Sequence, residues 1–362
     1  MSGDDYGAGE QEEFYGAGEG ELYVAGISAE CVCRVHAGSS EERQPVLCAV
    51  GGIAHAMYFA VNPCSPGLPD QMLRMLAQLR DQHPAAPKHC YLLIDASFDQ
   101  ALPVTFPWRR TVEGSLYDGM NLEGLKAVAP HLIRLPDDTK RQHVWLQQLV
   151  DACAGKPMLS MLISAIPAEQ LKQHFKPYLV ARSDDSLEWP VRWADTRTLP
   201  GLIGALIEKE RQHLLSPLYA WVAADRQGKM IDWKGEGNPH PAPADFDCWP
   251  MDDGRFSRLV SEAEADAVIG ALHDTQPDLF DMREPDANHA CVKRHLVIAS
   301  LNGIEGAGQR QHLAMLALSL KDDFIEHPAM QSMLKRTREG ANYAAEVAAL
   351  PADFWQQTDR RT

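Results

Sequence analysis

The chain has 362 residues, 45% hydrophobic and 23% charged, so it reads as an ordinary globular protein of about two domains with ample core. Its net charge is −16 with no basic run to offset it, which argues against a nucleic-acid binder, since such a protein needs a basic face to displace counterions. The eight cysteines include no C-x-x-C pair, so reduced thiols in a cytosolic protein are expected rather than a disulfide framework or a zinc site.

Residues 1–21 contain an imperfect repeat, DDYGAGE and then EFYGAGEGE. Residues 1–30 hold eight acids and no Lys or Arg, half of the net charge of the chain. Glycine and like charge together do not support a packed core, so 1–21 reads as an acidic flexible tail. Gly16-Ala-Gly18-Glu-Gly20 is ringed by acids and follows no strand, unlike a phosphate-cradling loop. No basic n-region with an apolar h-region is visible, and no apolar run approaches the ~20 residues needed to span a bilayer. A cytoplasmic location is the expectation.

Residues 22–85 form a small β-rich segment plus a helix. ELYVAGI, ECVCRVH, PVLCAVGG and AMYFAV are strand-like runs between Gly, Ser and Pro turns. After Pro63, Pro66 and Pro69, residues 70–82 repeat apolar positions at helical spacing, with Met72, Met75, Leu76 and Leu79 on one face.

Residues 86–235 alternate strand and helix, which predicts an α/β lobe around a mixed sheet. CYLLID, HLIRLP, MLSMLIS, YLVAR, EWPVRWAD and PLYAWVAA read as strands. Asp138 supplies N-cap chemistry for a helix bearing Trp145, Leu146, Leu149, Val150 and Cys153. Pro167 opens another with Leu171 and Phe175, and a third lies near 199–213. Residues 236–250, rich in Pro and Gly, read as a linker, and the lone His240 within it suggests no metal role. Residues 251–352 read as an all-helical lobe. Three apolar stripes carry it: Phe256, Leu259, Val260, Ala263 and Ala267; Leu313, Leu316, Ala317, Leu320 and Phe324; Met330, Met333, Leu334, Ala344 and Val347. Gly303 suits the residue just past a helix end.

Asp95 closes the apolar run YLLIDAS at 91–97, where many α/β enzymes place a catalytic acid. No Walker A, G-x-S-x-G, H-E-x-x-H or kinase signature accompanies it. The one enzymatic pattern pairs Asp95 with Asp138-Thr139-Lys140, a D-x-K resembling metal-dependent nucleases, in which two carboxylates hold Mg²⁺ beside a Lys. That second group stands at a helix start, where capping accounts for it. Asp95 has a structural alternative: it can close an Asx-type turn and pair with Arg192 or Arg197.

YLLIDAS followed by SLYDGMNLEGLKAVAPHLIRLP (115–136) resembles the opening of the domain of unknown function found in type VI secretion effector adaptors, also called Tap or Tec chaperones. ISAIPAEQLKQHFKPYLVA (163–181) is similar to that family's Ser-containing strand and following helix. WPVRWADTRTL (189–199) matches a later segment at Arg192, Asp195, Arg197 and Leu199, and SPLYAW (216–221) matches the closing strand with Trp221. The resemblance spans about 88–225, with a family-like helical tail to about 350. The sequence departs from the pattern at Trp193-Ala194, at Thr196 for Pro and at His131 for Tyr. Residues 1–85 are not covered.

The resemblance implies a non-enzymatic adaptor, without cofactor or metal, that binds a secreted toxin effector by the effector's N-terminal region and delivers it to the spike protein VgrG. It implies a protein monomeric by itself, with no nucleic-acid or membrane partner. Asp95, Ser115, Tyr117, Arg192, Asp195, Arg197 and Trp221 are its signature positions, read as structural. The domain layout places partner surfaces in the cleft between the lobes and on the outer helical face, with Trp189, Trp193, Trp221 and Trp233 as candidate anchors, although a core role is the more common one for each.

Overall fold

The computed structural model describes residues 57–105 and 111–359. The acidic tail and the runs ELYVAGI, ECVCRVH and PVLCAVGG fall outside the described residues, as do Cys31, Cys33 and Cys48. Residues 57–66, part of which was expected as a strand, run without regular structure.

Helix α1 (Leu68–Gln82) starts with Pro69 in its first turn and buries Met72 and Leu76, one turn apart. Strand β1 (His89–Asp95) and the short helix α2 (Leu102–Thr105) follow. Next come β2 (Val112–Ser115) and β3 (Pro130–Arg134), then α3 (Thr139–Ala152), whose N-cap Asp138 accepts from the Arg141 amide. Strand β4 (Leu159–Ser164), α4 (Ala168–Phe175), β5 (Val180–Ser183) and β6 (Glu188–Pro190) continue the chain. The helix expected over 199–213 is two, α5 (Leu199–Ala205) and α6 (Glu208–Leu215), because Leu206 and Ile207 adopt extended backbone. The strands β7 (Leu218–Ala224) and β8 (Met230–Lys234) close a hairpin.

These strands build a six-stranded sheet in the order β2-β3-β1-β4-β7-β8, in which all neighbours are antiparallel. The expected mixed pairing occurs only in a smaller sheet, β6-β5-β9, where β5 runs parallel to β9 (Trp249–Met251). The alternation of strand and helix has a simple cause. Helix α3 carries the chain from β3 to β4, which point the same way and flank β1 from opposite sides. A helical crossover thus skips one strand, and the strand between runs antiparallel to both.

Central strands β1, β4 and β7 are buried on both faces, which explains their unbroken apolar runs. Tyr91, Leu93, Leu162 and Trp221 face one core, with α4, α5, α6 and the small sheet. Leu92, Ile94, Met161, Ile163 and Val222 face the other, with α1 and α3. Trp193, Trp221 and Trp249 fill the first core, all without solvent exposure. Two of the proposed anchor tryptophans, Trp193 and Trp221, are therefore core residues. Trp233 is half-buried against the same core, and Trp189, also half-buried, packs on Phe256 at 5.7 Å.

EWPVRWAD leaves the sheet after Pro190, and its later half forms a turn into α5. The stretch expected as a linker ends in β9, which ties it to the sheet lobe.

The remainder is helical: α7 (Asp253–Thr275), α8 (Pro285–Leu301), α9 (Ala307–Ser319), α10 (Pro328–Arg338), α11 (Tyr343–Ala348) and α12 (Ala352–Thr358). The first half of α7 buries Leu259 and Ala263 in the sheet-lobe core. Its second half buries Ala265, Ile269 and Leu272 against α8 and α9. Ala344 is exposed and Tyr343 takes its place in the core, one residue out of the expected phase. Gly303 takes a left-handed φ of +69° after α8. Among the described residues no helix is long and apolar enough to cross a membrane.

A polar joint fixes the start of α7. Glu210 on α6, 5% exposed, accepts at one oxygen from Trp249 Nε1 at 3.0 Å, Arg255 Nη1 at 2.9 Å and the Ile207 amide at 3.1 Å. Arg255 also holds the α7 N-cap, Asp252, at 2.7 Å.

Candidate functional site: a charged seam between the lobes

The carboxyl end of β1 meets the turn before α5, the β7–β8 turn and the middle of α7. Four of the signature residues converge there. Asp95 accepts from the Ser97 amide at 3.0 Å through Oδ1, the Asx turn that releases the strand. Its Oδ2 takes Arg192 Nε at 3.2 Å and Nη2 at 2.9 Å. Arg192 also donates to Ser97 Oγ and stands 3.9 Å from Asp195 Oδ2.

Asp195 is held bidentately by Arg197, Nε to Oδ1 at 3.1 Å and Nη2 to Oδ2 at 2.8 Å. Arg197 continues to Asp266 on α7 at 3.5 Å, and Asp266 pairs with Arg226 of the β7–β8 turn. Three carboxylates and three guanidiniums thus alternate, and their formal charges cancel. Phe98 lies under Arg192 at 4.7 Å and Arg197 at 5.4 Å, and Phe59 under Arg197 at 5.2 Å.

Burial alone would raise the pKa of Asp195, which is 1% exposed, but the Arg197 and Arg192 guanidiniums hold it below the ordinary carboxylate value. Burial opposes the charge of Arg197 as well, and Asp195 and Asp266 more than restore it. His289 on α8 borders the seam, pushed down to about 4 by burial and then by Arg226. Its buried Nε2 has no hydrogen-bond partner among the described residues, so this ring is neutral.

The other signature residues sit apart. Ser115 and Tyr117 shape the turn after β2: Ser115 Oγ accepts from the Tyr117 amide at 2.9 Å, and Asp118 Oδ2 from the Ser115 amide at 2.9 Å. Gly114, at φ +110°, leaves room for that carboxylate, which a Cβ would meet at 2.4 Å. Trp221 donates to Ser160 Oγ at 2.9 Å within the core and stacks edge-on with Phe175.

The paired-carboxylate reading is overturned by the register of the sheet. Asp95 pairs with Pro130 at the start of β3, whereas Asp138 follows Arg134, which pairs with Tyr91. The two acids lie at opposite ends of these strands, roughly 13 Å or more apart at 3.3 Å per residue. Asp138 caps α3, and Lys140 is exposed beside it. Among the described residues no group of three His, Cys, Asp or Glu is placed to hold a metal ion. Cys90 is buried and pushed up to about 12, and Cys153 is raised further by the same burial.

Asp266, Arg226, Phe98 and Phe59 complete the seam but were not singled out in the sequence. No local signal marks Asp266: it is the last of three alternating acids in the run Glu262-Ala263-Glu264-Ala265-Asp266-Ala267, and nothing in that pattern sets it apart from the other two.

The class these features define is an antiparallel-sheet α/β lobe stitched through buried ion pairs to a helical lobe. Residues 90–213, about a third of the chain, match the model of a family described as "Domain of unknown function (DUF4123)". That match contains Asp95, Ser115, Tyr117, Arg192, Asp195 and Arg197, and stops short of Asp266 and Arg226. No curated protein and no solved structure matches the chain.

Proposed function

We propose that the protein is a non-enzymatic cytoplasmic adaptor of type VI secretion, which binds a toxin effector by its N-terminal region and loads it onto the VgrG spike. The observation that carries this reading is the use of the signature charges. Asp95, Arg192, Asp195 and Arg197 lie inside the matched domain, and their polar atoms are committed to one another and to α7. An enzyme keeps such groups facing a substrate; here they hold one lobe against the other. A cavity beside Cys64, Cys153 and Thr196 encloses about 20 Å³, enough for a water and too small for a substrate.

The test is affinity capture of the tagged full-length protein from its native bacterial lysate, followed by mass spectrometry. A VgrG-type spike together with one effector supports the reading. Recovery of neither, from folded and expressed protein, overturns it.

A further inference from the structure

Residues 57–66 lie across the seam as a strap, held by both lobes although they form no helix or strand. In the helical lobe, Tyr58 stacks on His273 at 4.9 Å and packs against Phe280 at 5.1 Å, and its hydroxyl accepts from Asn288 Nδ2 at 2.7 Å. Phe59 turns the other way, edge-on to Phe98 at 4.8 Å and beneath Arg197. The Asn62 and Ser65 amides donate to Arg226 O at 2.8 Å and Gly228 O at 2.9 Å, and Asn62 Oδ1 accepts from the Asp286 amide at 3.0 Å.

Two features show how closely the seam is shaped to this segment. A Cβ at Gly228 would meet Pro63 O at 2.2 Å, so only glycine lets the strap pass. Ala60, 1% exposed, is held at φ +50°, where a Cβ crowds the backbone, so the strap is bound in a conformation it does not prefer. Consecutive aromatics entering separate pockets, with backbone hydrogen bonds between, are the way a groove recognises an extended peptide.

We propose that the seam is a receptor for an extended segment of the partner protein bearing two adjacent aromatic residues, and that residues 57–66 fill it in cis until the partner displaces them. This rests on the adaptor reading and adds to it where the partner enters and what it must present. The matched family domain begins at residue 90 and does not include the strap.

The test uses the full-length protein and a fluorescein-labelled peptide of residues 57–66 carrying Cys64→Ser. In wild-type protein the strap competes, so the peptide binds weakly by fluorescence anisotropy. In the double variant Tyr58→Ala, Phe59→Ala the pockets are vacated, and the peptide should bind ~10-fold tighter or more, the scale of losing an aromatic anchor. Equal affinity in the two proteins, with the variant melting cooperatively, overturns the proposal.

Hydrogen exchange on the wild-type chain gives an answer even if the variant does not fold. The Asn62 and Ser65 amides should exchange ~100-fold faster than those of β1 and β4, as a separately opening segment does. Exchange of the strap only with the strands overturns the proposal. So does a dimer of the variant by light scattering, because the groove would then be traded between copies. The lysate capture is independent: a spike and an effector recovered there, without peptide binding here, would retain the adaptor and discard this entry point.

Discussion

Helix α7 is fastened to the sheet lobe twice, and the two joints are built differently. At its start, one buried carboxylate, Glu210, gathers an indole, a guanidinium and a backbone amide. Eleven residues on, about 16 Å along the helix at 1.5 Å per residue, Asp266 enters a chain of alternating Arg and Asp. In the first joint the acceptor has neutral as well as charged partners. In the second, every charge depends on the next, so removing one strands its neighbours in a poorly solvated place. Joints of the second kind fail hard when broken, although ion pairing of this kind adds little over apolar packing.

That difference sets the largest expected effect. Asp195→Ala leaves Arg197 without its bidentate partner and Arg192 without a second acid. A loss of about 3–5 kcal/mol in urea unfolding is expected, the cost of orphaning a buried charge. A loss below about 1 kcal/mol would show that water reaches the seam and that the two joints are alike.

Acid separates the lobes' contributions next. His174 in the sheet lobe and His289 at the seam are both pushed from 6.5 down to about 4, chiefly by burial. Between those values the unfolded chain takes up protons that the folded chain refuses, so stability falls as pH falls from about 6.5 to about 4. Each histidine accounts for up to about 3 kcal/mol at about 1.4 kcal/mol per unit. Asp195 works lower: its contribution is present above the ordinary carboxylate pKa and is lost as pH falls through its depressed folded value. His289→Leu should remove part of the histidine slope in pH-dependent urea melts, the rest staying with His174 and with His131, His295 and His312, which burial also depresses, and an unchanged slope would place the acid sensitivity elsewhere.

Single carboxamide substitutions compare the joints directly. Glu210→Gln keeps an acceptor for Trp249 and the Ile207 amide but weakens the Arg255 pair. Asp95→Asn keeps the Ser97 turn but gives up the charge facing Arg192. Each should cost about 1–3 kcal/mol, the range for hydrogen bonds to charged groups, with Asp95→Asn the larger because its partner belongs to the chain of charges. Thermal melts of the pair decide the order, and an unchanged melting temperature for Asp95→Asn removes its structural role.

How much of this was legible follows from what each pattern encodes. The runs CYLLID and LYAWVAA give interior strands because burial on both faces demands unbroken apolar residues. They say nothing of strand direction, which here depends on α3 skipping over β1. The Asp95–Arg192 pair was readable because an acid ends a strand and an Arg fork needs an acid. Its continuation to Asp266 and Arg226 joins residues from separate lobes, and no local spacing links them. AMYFAV has the composition of a strand in Tyr58, Phe59 and Val61, but its described residues form none, because the two aromatics alternate between lobes rather than between the faces of a sheet.

The smallest effect is the most useful check on the alternative chemistry. Asp138 accepts from the Arg141 amide at 2.8 Å and stands at the far end of the sheet from Asp95. Asp138→Ala should cost about 1 kcal/mol, the usual value of an N-cap, and should leave effector and spike capture unchanged. The seam is remote from this cap, so Asp138→Ala and Asp195→Ala should add in the double variant to within about 0.5 kcal/mol. Coupling well beyond that would mean that strain at the α3 cap reaches the charged seam through β3 and β1, and that the sheet responds as one unit rather than as separate ends.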